Sequence, residues 1–97
     1  MPVIIVNHLP PATTPEQYTR VSEIIVAGGP VDGLLVHTGF VNGDHIEVVD
    51  AWESRAHFDA FEERLVAAIK QVVGAEAMLE AGPPDVAEYE PLDFVTA

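Results

Sequence analysis

His37 and Asp50 form the pair of residues in this sequence best suited to acid–base chemistry. His37 lies in the segment Gly33–Val41, and Asp50 lies in the segment His45–Trp52. An imidazole titrates near neutral pH, and a neighbouring carboxylate would orient it for proton transfer to or from a phenol or an enol. The alternative is structural, because buried polar groups usually just satisfy one another. His37 would then hydrogen-bond locally, and Asp50 would cap a backbone turn.

The two segments flank Asn42-Gly43, a dipeptide that strongly favours a β-hairpin because a type I′ turn needs positive φ at both central positions. A two-residue loop at this point predicts the cross-strand pairs Val41–Asp44, His37–Val48 and Leu35–Asp50, whereas a three-residue loop through Asp44 would shift these pairs. Side chains alternate between the two faces of a strand, so His37 and Asp50 become diagonal neighbours on one face. The residues predicted on that face are Leu35, His37, Gly39, Ile46, Val48, Asp50 and Trp52.

Three further side chains could bind a substrate beside this pair. Asn7 could donate a hydrogen bond to a substrate oxygen, or it could form the turn before Pro10-Pro11. Trp52 could form an aromatic wall against a planar substrate, or it could fill the core where a strand meets a helix. Tyr18 lies on the inward face of its helix, so its hydroxyl needs a partner that a ligand could supply.

The helix after Ser54 contributes three more candidates for the substrate pocket. Phe58 and Phe61 fall on its apolar face and would form apolar walls. His57 lies in its first turn, where the helix dipole disfavours the charged imidazole. His57 could line the pocket or face the solvent.

His45 and Glu47 place two potential metal ligands on one strand face. His8 is distant in sequence, and no third ligand stands at a suitable spacing, so the sequence predicts no metal site. The chain contains no cysteine, which removes thiolate ligands, thiolate nucleophiles and disulfides. The absence of cysteine is compatible with the cytoplasm, where we expect this protein.

The charge balance excludes two classes of partner. Sixteen acidic residues oppose four basic ones, and the formal net charge is -12. A charge of this sign repels phosphate backbones and anionic lipid surfaces, so we expect neither nucleic-acid nor membrane binding. Apolar residues make up 48% of the chain, which excludes disorder. No signal peptide or membrane span is predicted.

The order of the predicted elements is β-α-β-β-α-β, in one domain over residues 1–97. Thr14-Pro15-Glu16-Gln17 is typical of a helix start with a capping box. This order indicates an α+β, ferredoxin-like split β-α-β fold, with a four-stranded antiparallel sheet and two helices on one face. The predicted elements are strand Val3–Asn7, a helix from Thr14 to Gly28, strands Gly33–Val41 and His45–Trp52, a helix from Ser54 to Gly74, and an edge strand within Val86–Val95.

The chain resembles the dimeric α+β barrel superfamily, in particular small proteins similar to antibiotic biosynthesis monooxygenases. The residues that carry the resemblance are Asp50-Ala51-Trp52-Glu53-Ser54, Phe58 and Phe61. The resemblance implies a homodimer whose two sheets pack into a barrel, with a small-molecule pocket between sheet and helices in each subunit. Members of the superfamily include cofactor-independent oxygenases acting on polycyclic phenols, haem-degrading enzymes, isomerases, cyclases and proteins without assigned function.

The haem-degrading members can be compared residue by residue. Asn7 matches their asparagine at the end of the first strand. Phe61 stands where they have a catalytic tryptophan, and Gln71 or Val72 stands where they have a haem-ligating histidine. The resemblance therefore implies no cofactor for this chain.

The expectation for function is a homodimeric small-molecule enzyme, a cofactor-independent monooxygenase or an isomerase or cyclase of secondary metabolism. It would act on an aromatic or polyketide-like substrate by proton transfer through His37 and Asp50. The alternative is a non-catalytic ligand-binding or stress-responsive dimer, because a fold alone does not imply chemistry.

Overall fold

Seven helices and strands follow one another in the computed structural model, which describes residues 2–96. They are β1 (Val3–His8), α1 (Pro15–Ala27), β2 (Leu34–Asn42), β3 (His45–Trp52), α2 (Arg55–Val73), α3 (Ala75–Ala81) and β4 (Asp85–Tyr89). The strands form one antiparallel sheet in the order β2-β3-β1-β4. This order confirms the predicted ferredoxin-like α+β fold.

Local sequence sets the ends of the helices. Thr14 and Gln17 form the predicted capping box: the Thr14 N–H donates to Gln17 Oε1 at 2.9 Å, and the Gln17 N–H donates to Thr14 Oγ1 at 3.1 Å. Ser54 caps α2 by accepting the backbone N–H of His57. Gly74 ends α2 with a φ of 87°, and α3 follows as a separate short helix.

The hairpin between β2 and β3 has a different register from the predicted one. Its turn residues are Gly43 and Asp44, because Asn42 pairs with His45. Gly43 has a φ of 67°, whereas no residue other than glycine has a positive φ within residues 2–96. A type I′ turn at Asn42-Gly43 would need positive φ at both residues. The pairing therefore moves by two residues, and His37 lies directly opposite Asp50 rather than diagonal to it.

A second correction concerns the start of β2. The pairing with β3 shifts between Leu34 and Val36, as in a β-bulge. Leu34 consequently packs against the core and Leu35 is 43% exposed, although Leu35 was predicted on the same face as His37 and Trp52. The bulge reverses the alternation at this one position, and the rest of β2 keeps its predicted faces.

Both helices cover the same face of the sheet. Ile5, Trp52 and Phe58 form a buried cluster between sheet and α2, with the ring centroids of Trp52 and Phe58 5.8 Å apart. The Arg64 guanidinium of α2 donates hydrogen bonds to the carbonyls of Ile25, Gly29 and Pro30. These contacts satisfy carbonyls at the end of α1 and hold α1 against α2.

The opposite face of the sheet carries exposed apolar side chains. Val36 is 47% exposed and Phe40 is 44% exposed in the single chain. Burial of these apolar groups against another protein surface would be energetically favourable. Within the described residues, no helix is both long and apolar enough to cross a membrane.

Candidate active site

A cavity of about 1220 Å³ lies between the helices and the helix-covered face of the sheet. Strands β1, β2 and β3 provide its polar wall, and α1 and α2 provide mostly apolar walls. The predicted site residues that line it are Asn7, Tyr18, His37, Asp50, Trp52, Phe58 and Phe61.

His37, Asp50 and Tyr18 form a continuous chain of hydrogen bonds on this wall. His37 Nδ1 lies 2.6 Å from Asp50 Oδ1, and the Tyr18 hydroxyl oxygen lies 2.9 Å from His37 Nε2. A carboxylate only accepts hydrogen bonds, so Nδ1 carries the proton that it donates to Asp50. In the neutral imidazole, Nε2 then accepts the Tyr18 O–H. The partner that the Tyr18 hydroxyl needs is therefore His37.

The surroundings raise the pKa of two members of this hydrogen-bond chain, His37 and Tyr18. The hydrogen bond to Asp50 is the main cause that raises the pKa of His37 above 6.5; partial burial opposes it, and the charge of Asp50 adds to it. Burial is the main cause that raises the pKa of Tyr18 above 10.0. A hydrogen bond with Ser22 opposes that rise, and the charge of Asp50 adds to it. Tyr18 is consequently a neutral hydroxyl donor near neutral pH.

Gly39 provides the space in which Tyr18 reaches His37. It lies two residues after His37, on the same face of β2, and a Cβ built on Gly39 would overlap the Tyr18 hydroxyl. Gly39 and Ser22 contribute to this site but were not predicted from the sequence. The signals were present as a glycine two residues from His37 and a serine one helical turn after Tyr18.

Gly39→Ala is expected to displace the Tyr18 hydroxyl from His37, because the added methyl group occupies its place and the aromatic ring cannot bend around it. The pKa of Tyr18 should then fall towards 10.0, since burial is the main cause of its rise. An absorbance titration of phenolate formation measures this pKa, and Tyr18→Phe identifies which titration belongs to Tyr18 rather than Tyr89. An unchanged Tyr18 titration in Gly39→Ala would contradict the role of Gly39.

Three of the predicted substrate contacts are less accessible than Phe61 or lie outside the cavity. Trp52 is 0% exposed and Phe58 is 5% exposed, so these two lining rings also belong to the core. A ligand would meet the less buried Phe61. His57 does not line the cavity: its ring packs over Gly33, and its Nδ1 lies 2.7 Å from the Ser54 hydroxyl.

Asn7 lies on the cavity side of β1, opposite Val48 of β3. Val48 in turn pairs with Gly39, so Asn7 belongs to the same face as His37 and Asp50. Its amide can meet a ligand oxygen there, as expected for a substrate-binding residue.

The fold brings His8, which is distant in sequence, next to His45 and Glu47. Antiparallel pairing of β1 with β3 places His8 directly opposite Glu47, and His8 Nε2 lies 2.6 Å from Glu47 Oε1. This contact could not be predicted from the sequence, because His8 and Glu47 are far apart along the chain and their strands are neighbours only in the folded sheet. This cluster lies on the opposite face of the sheet from His37.

The search with protein-family models gave no match, and the search of curated proteins gave none either. Solved structures do match. MhuD, as a point mutant with two manganese protoporphyrin IX bound per active site, is 25% identical with a TM-score of 0.61, and the match covers 100% of both chains. SnoaB, a cofactor-independent oxygenase from Streptomyces nogalater, is 15% identical with a TM-score of 0.59 and coverage of 99% and 98%. A proposed antibiotic biosynthesis monooxygenase from Chloroflexus aurantiacus is 16% identical, with the same TM-score and coverage.

The α2 side chains that line the cavity offer no axial ligand to haem. They include Phe61, Leu65 and Ile69, and none of those within the described residues is an imidazole or a thiolate. Both nitrogens of His37 are already hydrogen-bonded, one to Asp50 and one to Tyr18.

The element order, the sheet topology and the matches to solved structures agree over the whole described chain. This protein has the ferredoxin-like α+β fold of antibiotic biosynthesis monooxygenase-like proteins.

Proposed function

We propose that this protein is a homodimeric small-molecule enzyme that removes a proton from an acidic hydroxyl or an enolisable position of an aromatic or polyketide-like substrate. His37 is the base, Asp50 orients it, and Tyr18 connects it to the substrate. The observation that carries the proposal is the Tyr18–His37–Asp50 hydrogen-bond chain on the wall of a large, mostly apolar cavity.

The geometry supports a defined path for the proton. The substrate group gives its proton to the Tyr18 oxygen while Tyr18 passes its own proton to His37 Nε2. The products are a phenolate or enolate and an imidazolium ion that donates from Nδ1 to Asp50 over 2.6 Å. The Asp50 carboxylate stabilises this imidazolium, which is the same interaction that raises the pKa of His37. Asn7 can stabilise the new negative charge by donating from its amide.

The walls of the cavity indicate the class of substrate. Apolar side chains of both helices line the cavity, among them Val21 and Ile25 of α1 and Phe61, Leu65 and Ile69 of α2. Such walls favour a planar apolar molecule that carries few polar groups, and the polar side chains of the sheet orient it. A polycyclic phenol or an aromatic polyketide has this combination of properties.

Two structural neighbours support the same class of chemistry. SnoaB is a cofactor-independent oxygenase, and the Chloroflexus aurantiacus protein is a proposed antibiotic biosynthesis monooxygenase. Proton removal that gives an enolate or phenolate is a step that cofactor-independent oxygenases, isomerases and cyclases can share. We therefore assign this proton transfer to the protein, with His37 as its base.

A turnover assay with a panel of polycyclic phenols tests the proposal. We expect the protein to convert at least one of them, seen as a change in absorbance and a new product mass, and heat-denatured protein should not do so. Binding of several panel members without turnover would overturn the proposed enzyme and favour a non-catalytic ligand-binding protein. The observation favouring that second candidate is that Tyr18, His37 and Asp50 already satisfy one another.

The homodimer is a separate prediction, motivated by the exposed apolar face of the sheet. Light scattering at micromolar concentration should give about twice the chain mass of 10.4 kDa. Phe40→Asp places a charge on that face, where Phe40 is 44% exposed, and is expected to give a monomer. Leu79→Asp is the matched control, because Leu79 is 82% exposed on α3. A monomeric wild type, or a dimer that Phe40→Asp leaves intact, would contradict pairing through this face.

A further inference from the structure

A second cluster of reactive side chains lies on the sheet face that the helices leave uncovered. It consists of His8 at the end of β1 and of His45 and Glu47 at the start of β3. One ligand atom from each residue lies within 4.8 Å of the others. We propose that these three residues bind a divalent transition-metal ion, with Zn²⁺, Co²⁺ and Ni²⁺ as the fitting class.

The three ligand atoms already lie near one another. His8 Nε2 lies 2.6 Å from Glu47 Oε1, which is a hydrogen-bond distance, and His45 Nε2 lies 3.9 Å from the same oxygen. Two ligands of a tetrahedral Zn²⁺ ion lie about 3.3 Å apart, given metal–ligand bonds of about 2.0–2.1 Å. An ion bound here would replace the hydrogen bond between His8 and Glu47, and these two atoms would move apart to that spacing.

His45 provides an independent indication of a ligand. Its Nε2 is buried and has no hydrogen-bond partner within the described part of the chain. Buried polar nitrogen atoms are normally paired, because an unpaired one loses its contact with water without compensation. A metal ion at the cluster would use the lone pair of this nitrogen.

A second carboxylate holds each histidine in the orientation that metal binding requires. His8 Nδ1 lies 3.4 Å from Asp85 Oδ2, and His45 Nδ1 lies 3.2 Å from Asp44 Oδ1. A carboxylate accepts the proton of Nδ1 and leaves the lone pair of Nε2 available. Carboxylate–histidine–metal arrangements of this type recur in metalloproteins, where the outer carboxylate fixes the tautomer and ring orientation.

The donor set selects among cations. Two imidazoles and one carboxylate suit Zn²⁺, Co²⁺ or Ni²⁺, whereas Mg²⁺ and Ca²⁺ prefer oxygen ligands. Three protein ligands leave a position for water or for another ligand. The net charge of -12 also favours the approach of a cation. In the single chain the His8 side chain is 42% exposed.

Calorimetric titration of tag-free, chelator-treated protein with ZnCl₂ tests the inference. We expect one Zn²⁺ ion to bind per chain. Co²⁺ should bind with the same stoichiometry, seen by its visible absorbance, and a large excess of Mg²⁺ should not compete. His45→Ala and Glu47→Gln each remove a direct ligand and should weaken Zn²⁺ binding by about 100-fold. Asp44→Asn changes a residue of the outer shell and should weaken binding by about 10-fold, because outer-shell changes typically cost 10- to 100-fold in metal affinity.

His57→Ala is the matched control, since His57 lies on α2, away from the cluster, and should bind Zn²⁺ as the wild type does. Thermal unfolding of the metal-free variants shows whether each one folds, and the nearly isosteric Glu47→Gln preserves the shape of the site. Zn²⁺ should raise the melting temperature of the wild type but not that of Glu47→Gln. Absence of stoichiometric binding, or equal losses in His57→Ala and His45→Ala, would overturn the inference.

Discussion

Trp52→Ala is expected to lower the free energy of unfolding by about 3–5 kcal/mol, the cost typical of replacing a buried large aromatic residue by alanine. Trp52 is 0% exposed, and its ring centroid lies 5.8 Å from that of Phe58 and 5.4 Å from that of Phe61. The substitution removes the contact between the sheet and α2 at the centre of the core. A loss of this size is a large part of the total stability of a small domain, roughly 5–15 kcal/mol.

Urea unfolding followed by circular dichroism measures this loss. Trp52→Phe is the matched variant, because it keeps an aromatic ring and removes an indole N–H that has no hydrogen-bond partner among the described residues. It should cost clearly less than Trp52→Ala. Leu92→Ala should change stability by no more than about 0.5 kcal/mol, since fully exposed positions contribute little. A Trp52→Ala protein as stable as Leu92→Ala would contradict the assignment of Trp52 to the core.

His37→Asn is expected to lower the turnover of a converted phenol by about 10²- to 10⁴-fold, the range typical of general acid–base catalysis. The asparagine amide can donate to Asp50 as His37 Nδ1 does, but it cannot accept a proton near neutral pH. The effect should appear in kcat, because the apolar walls that bind the substrate remain unchanged. His57→Asn is the control, since His57 does not line the cavity and should retain the wild-type kcat.

The pH dependence separates proton transfer from a merely structural role of His37. A base acts in its deprotonated form, so wild-type activity should rise with pH through a value above 6.5, because Asp50 raises the pKa of His37. Asp50→Asn removes the main cause of that rise, and the activity limb should move to lower pH while the maximal rate falls. An activity limb at the same pH in wild type and Asp50→Asn would contradict the proposed pair.

The same pKa shift has a defined consequence for stability. A histidine whose pKa is higher in the folded state than in the unfolded state stabilises the fold when both states are protonated. The contribution of the His37–Asp50 pair is therefore complete below about pH 6.5, and it is lost as the pH rises through the raised pKa. The His37 side chain is 42% exposed, so solvent screening keeps this contribution small.

The hairpin shows how far local sequence determines this structure. Its two strands and its turn region follow from alternating apolar residues around Asn42-Gly43, and the structure confirms them. The register does not follow, because it depends on whether Asn42 or Asp44 occupies the turn beside Gly43. A shift of two residues preserves which face each side chain occupies. His37 and Asp50 were therefore predicted on one face although their pairing was wrong.

Contacts between elements distant in sequence could not be predicted. Tyr18 meets His37 because Gly39 leaves space between α1 and β2, and His8 meets Glu47 because β1 lies beside β3. The His8–Glu47 contact leaves no local pattern in the sequence, and the Tyr18–His37 contact leaves only the glycine two residues after His37 and the serine one turn after Tyr18. The bulge that moves Leu34 into the core also could not be predicted, because it depends on how β2 pairs with β3.

Proton transfer from a bound phenol to His37 is the central claim, and an absorbance titration of the bound ligand tests it most directly. A polycyclic phenol whose anion absorbs at longer wavelength is bound to the wild type and to His37→Asn, and the apparent pKa of the bound phenol is measured in each. We predict a pKa lower in the wild type by at least about one unit, which corresponds to about 1.4 kcal/mol of preference for the anion. Equal pKa values for the phenol bound to the two proteins would contradict the claim.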